Sequence, residues 1–213
     1  MRHVLRHVLD TSHIFCSERP STSHNTVRLD GVMAKFVLFL RGVNVGGVKI
    51  LMKDLAALLS DAGYSQVKTV LASGNAILEA PHDNASVLRE QCEALLAQHY
   101  SRAIPCLVFT ADEVHELAED FPVQLPDANH EYHRYLSLCS SQEDAHQLHL
   151  AAMALDSVQQ TALRGRALCW VSPKGQSLDT PVAKLVAAES RKYLITTRNL
   201  NTLVKLSTII RAQ

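Results

Sequence analysis

Apolar residues fall along this chain in short blocks whose spacing switches between the strand period and the helix period. Residues 35–40 form a nearly continuous apolar run, the mark of a strand covered on both faces. Residues 51–62 place Leu51, Leu55, Leu58 and Leu59 at helical spacing and stop at Gly63, a natural C-terminal cap. Residues 67–71 read as a second strand, Ser73-Gly74-Asn75 as a turn, and 76–79 as the strand that returns from it. Residues 85–100 predict a helix capped by Asn84, with Val87, Leu88, Leu95 and Leu96 on its apolar side. A fourth strand follows at 105–109. The order β-α-β-β-α-β is that of a split β-α-β, ferredoxin-like unit, with two helices on one face of an antiparallel sheet and right-handed crossovers.

The second half opens with a helix. Thr110 with Glu113 forms a capping box, and Pro122 marks the end. Residues 127–130 are a polar loop and 132–139 a strand. Ser140 with Glu143 reads as a second capping box, opening a helix to about Met153. Residues 158–163 and 167–172 read as a hairpin around Gly165. Thr180-Pro181 starts a helix to about Lys192, and 199–210 is the last helix. This half resembles the first with one strand missing. The expected fold class is α+β: a ferredoxin-like β-α-β-β-α-β unit over residues 33–110, then a second, degenerate α+β half over 111–213 packed on the first.

Residues 1–32 lack this patterning. They carry His3, His7, His13 and His24 and a Ser/Thr run, and Arg2, Arg6 and Asp10 break any apolar stretch a secretory signal would need. Met33 stands directly before the first strong strand. The natural start is therefore expected at Met33, with 1–32 a disordered or mis-annotated N-terminal extension.

Composition narrows the function classes. Hydrophobic residues make up 47% and charged residues 20% of the 213, the ordinary globular range. Lys+Arg and Asp+Glu balance at 21 each, so no global field recruits nucleic acid or an anionic membrane. No stretch nears the ~18 apolar residues of a membrane span, and a cytoplasmic protein is expected. The cysteines Cys16, Cys92, Cys106, Cys139 and Cys169 form no close pair, and are expected to be reduced thiols acting as small hydrophobes. His146 and His149 sit three apart on a helix and His130 and His133 flank a strand start, without an evident third ligand. No metal and no cofactor are expected.

Four segments carry candidate chemistry. The Gly-rich loop after the first strand, Arg41-Gly42-Val43-Asn44-Val45-Gly46-Gly47, can bring backbone N–H groups to a ligand just before a helix. It lacks the full phosphate-loop and dinucleotide fingerprints, so a tight connection explains it as well. Ser73-Gly74-Asn75 is equally explained as hairpin chemistry. Thr196 to Lys205 offers Arg198, Asn199 and Lys205. From residue 184 onward Lys184, Arg191, Lys192, Arg198, Lys205 and Arg211 face Glu189 alone, which is also the pattern of a solvated face. Trp170-Val171-Ser172-Pro173-Lys174-Gly175 ends a strand in a polar turn, with Trp170 expected in the core. No Gly-x-Ser-x-Gly nucleophile motif or paired carboxylates stand out.

The stretch LFLRGVNVGGVKILMKDLAALLSDAGYSQVKTVLASGNAIL resembles the opening of the bacterial domain-of-unknown-function family 1697, and WVSPKG with TTRNLNTLVKL resembles its closing motif. The likeness runs from about Met33 to the end. It departs at Leu71-Ala72, where the family commonly has a Tyr-Ile-Gln-like run, and at Leu200, where Trp is frequent. The resemblance implies an α+β fold with ferredoxin-like subdomains; the family carries no established activity over to this chain. Local turn chemistry does not demand Arg41, Asn44, Arg198, Asn199 or Lys205, so the motifs are expected to meet in one polar site. The favoured reading is a pocket for a phosphate- or carboxylate-bearing small molecule. In it Arg41, Arg198 and Lys205 neutralise the anion, Gly46 and Gly47 offer N–H groups, and Asn44, Ser73, Asn75 and Asn199 orient it. The alternative is a non-catalytic oligomeric or partner-binding module. Nucleic-acid binding on Phe36, Phe39 and Phe109 is the least favoured. Nothing in the pattern fixes a reaction or an oligomeric state.

Overall fold

The computed structural model describes residues 33–44, 49–127, 129–155 and 160–213. The described residues form one compact unit. The expected extension 1–32, Gly46 and Gly47, and the expected start of the second-half hairpin at 158 lie outside the described residues.

Among the described residues, two four-stranded antiparallel sheets and six helices are arranged as two similar halves. The first half runs β1 (Ala34–Leu40), α1 (Met52–Asp61), β2 (Ser65–Val70), β3 (Asn75–Ala80), α2 (Ala85–Tyr100), β4 (Cys106–Thr110), with sheet order β2-β3-β1-β4. Helix α3 (Ala111–Ala118) follows. The second half runs β5 (Tyr132–Cys139), α4 (Gln142–Met153), β6 (Thr161–Arg164), β7 (Ala167–Pro173), α5 (Pro181–Glu189), β8 (Ile195–Asn199), with order β6-β7-β5-β8, and then α6 (Leu200–Arg211). Both sheets have the ferredoxin-like order.

The strand missing from the sequence reading of the second half is β8. It escaped because Ile-Thr-Thr-Arg-Asn has no apolar alternation. Thr196 and Arg198 occupy its inward positions, and a polar network replaces the apolar contacts that usually betray a strand. Three caps follow the sequence: Asn84 accepts from the Ser86 and Val87 amides, Thr110 and Glu113 make a reciprocal box, and Thr180 accepts from the Ala183 amide. One differs. Helix α4 is capped by Ser141, whose hydroxyl accepts from the Asp144 amide at 3.0 Å, while the Ser140 hydroxyl donates to the Asp144 carboxylate.

Alternation along β1 explains the layers. Phe36, Leu38 and Leu40 face α1 and α2, whereas Val37 and Phe39 face the second sheet. Leu136 and Leu138 of β5 do the same from the other side, and Leu117 of α3 and Leu206 of α6 fill the same central core. Helices α4 and α5 cover the outer face of the second sheet with Leu148, Val182 and Val186 around Trp170. Phe36, Phe39 and Phe109, on which base stacking would depend, are all fully buried. No helix among the described residues is long and apolar enough to cross a membrane.

Candidate functional site

The turn between β2 and β3 packs under the end of β1. Gly74 carries φ +78°, and a Cβ there would lie 2.6 Å from Val43 Cγ2 and 2.8 Å from Leu40 Cβ, so the close approach requires glycine. Its carbonyl accepts from the Leu40 amide at 2.7 Å. Asn44, at φ 56°, holds the loop after β1 against the same turn. Its Nδ2 donates to the Ile50 and Ala72 carbonyls and its Oδ1 accepts from the Ile50 amide. Asn75 is fully buried; its Nδ2 donates to the Val70 carbonyl at 2.7 Å and to Ser73 Oγ at 3.0 Å.

Arg198 enters this turn from β8. Its Nε donates to Asn75 Oδ1 at 2.7 Å. One terminal nitrogen reaches Thr196 Oγ1 and the Thr197 carbonyl; the other reaches the Leu40 and Ser73 carbonyls at 2.7 and 3.0 Å. All five N–H donors of the guanidinium are thereby used. The group lies 5.6 Å from the Phe39 ring centre, and only 7% of the residue is exposed. Burial pulls the guanidinium down to about 10, so it stays charged at neutral pH. No carboxylate among the described residues pairs with it. The second half thus pins the first through a cation that neutral acceptors solvate completely.

A second arginine pins the halves at the quasi-equivalent place. Arg166, in the β6–β7 turn, lies 3.6 Å from the Phe109 ring centre and donates to the Val108 carbonyl and to both Glu113 carboxylate oxygens. Here a carboxylate is supplied, and it also caps α3. Burial alone would raise the Glu113 carboxyl, but the hydrogen bonds from Arg166 and the Thr110 amide, with the charge of Arg166, outweigh it and hold the group below its usual value. Nothing local in Arg164-Gly165-Arg166 foretold this contact.

Arg41 is placed differently. One terminal nitrogen donates to the Ser190 carbonyl at the end of α5, and this is its only side-chain bond among the described residues. With Arg102, Gly42 and Pro105 it lines a cleft of about 250 Å³ with no acidic side chain in its wall among the described residues. Ser190 itself lines a second cavity of about 410 Å³ between α5 and the strands β5, β7 and β8. Tyr135 and Trp170, cross-strand partners stacked at 4.7 Å and 29°, form its aromatic wall. The Tyr135 hydroxyl donates to Ser177 Oγ at 2.8 Å, and Trp170 Nε1 donates to Ser137 Oγ at 3.0 Å.

The sequence motifs therefore converge. The loop at Arg41 and Asn44, the turn at Ser73 and Asn75, and the strand at Arg198 meet at one junction, and the Trp170 segment lines the adjoining cavity. Asn199 is spent as the cap of α6, accepting from the Asn201 amide, and Lys205 is exposed on that helix without a polar partner among the described residues. Gly46 and Gly47 lie outside the described residues. Arg102 and Tyr135 were not singled out in the sequence, since each stands in a segment with no motif of its own. Cys92, Cys106, Cys139 and Cys169 are free and buried. Among the described residues no group of three or more His, Cys, Asp or Glu is placed to hold a metal ion.

The profile of the family described as "Protein of unknown function (DUF1697)" matches residues 33–168. No curated protein matches the chain. Among solved structures, the conserved bacterial protein SP0830 from Streptococcus pneumoniae shares the fold at a TM-score of 0.68 and 22% identity, covering 84% of this chain and 99% of its own.

Proposed function

The chain belongs to the DUF1697 family, and from its own residues we propose that it is a cytoplasmic protein that binds a phosphate- or carboxylate-bearing small molecule, with the anionic group at Arg41. The supporting observation is the contrast between two arginines. Arg198 has every donor committed internally, whereas Arg41 keeps four of its five N–H groups free of other described residues. Arg102 adds a second positive charge to the same cleft. The buried charge of Arg198, uncompensated by any described carboxylate, adds a favourable field for an anion nearby. Asn44, Asn75 and Arg198 then act as the frame that fixes the Arg41 loop, rather than as ligand contacts. The four buried thiols fit a reducing compartment.

No titratable base among the described residues lines the Arg41 cleft, so the site favours anion capture over proton abstraction. Thermal unfolding of wild type and Arg41→Gln in millimolar phosphate, carboxylates and sugar phosphates tests this. Wild type is expected to be stabilised and Arg41→Gln not. Equal responses of the two would end the proposal.

One observation favours a second reading, a non-catalytic partner-binding module. The motif residues Asn44, Asn75 and Arg198 already have complete structural duties. That reading gains if wild type responds to no small anion.

A further inference from the structure

We infer that the ligand is a planar aromatic anion, its ring seated in the cavity beside Trp170 and its charged group held by Arg41. This rests on the reading of Arg41 given above and adds the chemistry of the uncharged part. The cavity of about 410 Å³ is of the size that takes a small organic molecule. No charged side chain among the described residues lines it. Its wall is the Tyr135–Trp170 stack, faced across the opening by Ala183, Val186 and Ala187 of α5.

The polar groups are few, and all are hydroxyls or backbone. Trp170 is only 3% exposed and spends its N–H on Ser137, so what indole surface the cavity meets is apolar, and the half-buried Tyr135 ring supplies the rest of the aromatic wall. Ser177 accepts from the Tyr135 hydroxyl and keeps its own hydrogen to donate. Such a wall suits a flat ring with one or two acceptors at its edge, because offset stacking on an aromatic face adds to simple apolar burial. Leu178 stands at the mouth, 84% exposed, where it would lose contact with water once the cavity filled.

Charge lies on one side. Ser190, a residue of the cavity wall, accepts from Arg41 through its carbonyl, which brings the guanidinium to that end of the cavity. A ligand with its ring beside Tyr135 and a phosphate or carboxylate at the Ser190 end meets that guanidinium, which is the complementarity an aromatic anion requires.

The experiment uses a built-in probe: Trp170 is the chain's single tryptophan. The intact protein is titrated with phenyl phosphate, inorganic phosphate, phenol and butyl phosphate, following Trp170 emission and thermal stability. Phenyl phosphate is expected to change the emission and to bind at least tenfold more tightly than any of the other three. In Ala187→Phe, which fills the mouth from an exposed helix position, phenyl phosphate should lose its advantage over inorganic phosphate. Butyl phosphate matching phenyl phosphate would overturn the ring. Phenol matching it would overturn the anionic half, and the Arg41 reading with it. Inorganic phosphate matching it, with silent Trp170 emission, would overturn the ring seat and leave the Arg41 reading standing. The wild-type comparison needs no variant, so a misfolded Ala187→Phe leaves the test intact.

Discussion

Arg198 donates from its Nε to Asn75 Oδ1 at 2.7 Å across 123 residues of sequence, joining the last strand of the second half to the turn that ends the first hairpin of the first. Each needs the other. Without Asn75 the guanidinium keeps a buried donor with no acceptor, and without Arg198 the Leu40 and Ser73 carbonyls lose their partner.

Asn75→Ala should therefore destabilise the protein by about 3 kcal/mol, since it strands a hydrogen bond to a buried charge. Arg198→Met should cost a similar amount. The double variant should cost less than the sum, with a coupling above about 1 kcal/mol, as groups in one network do. Urea unfolding of the four proteins measures this, and strict additivity would mean that the two side chains act independently.

Two glycines with similar backbone angles should behave differently. Gly42→Ala, at φ +67° with nothing within 4 Å of its Cβ, should cost only the conformational strain, about 1 kcal/mol. Gly74→Ala adds overlap with Val43 and Leu40 and should cost about 2–4 kcal/mol. The same denaturation assay ranks them. A cheaper Gly74→Ala would show that the β1 end can retreat from the turn.

Glu113 sets an acid limit. Its carboxyl is held below the ordinary 4.5, so its contribution is fully present above that pH and is lost as the pH falls through the lowered value. Glu113→Gln should destabilise by about 1–3 kcal/mol at neutral pH, because it weakens both the α3 cap and the Arg166 pin. It should also flatten the loss of stability below about pH 4.5. Urea midpoints of both proteins from pH 3 to 7 test it, and parallel curves would contradict the assignment.

The buried cysteines should be inert. Burial pushes the thiols of Cys92, Cys139 and Cys169 up to about 12 and raises Cys106 as well, so little thiolate forms at pH 8. Iodoacetamide should label these four only after denaturation, as read by mass spectrometry of the peptides. Rapid native labelling of any one would place it nearer the surface.

The first half was legible because strand and helix periods are clean there. The run at Phe36–Leu40 is apolar on both faces because both are covered, by α1 and α2 on one side and by the second sheet on the other. Strand β8 was not legible, since Thr196 and Arg198 satisfy inward positions through hydrogen bonds that only the tertiary structure supplies. The motif segments at Arg41, Asn44, Asn75 and Arg198 lie close together in the fold. Their division of labour was hidden. A donor-rich residue looks the same in sequence whether its partners are carbonyls of the chain or oxygens of a ligand. The Arg166–Glu113 pin was hidden for the related reason that neither residue advertises a partner 53 positions away.

The division of labour between the two arginines is most directly read by NMR of the arginine Nε–Hε groups during a titration with inorganic phosphate. Arg198, enclosed and fully bonded, should give a slowly exchanging signal that does not move. Arg41 should shift progressively and saturate. A phosphate-dependent shift at Arg198 with Arg41 unmoved would contradict the assignment of the anion to Arg41, and no shift at either would remove the anion site.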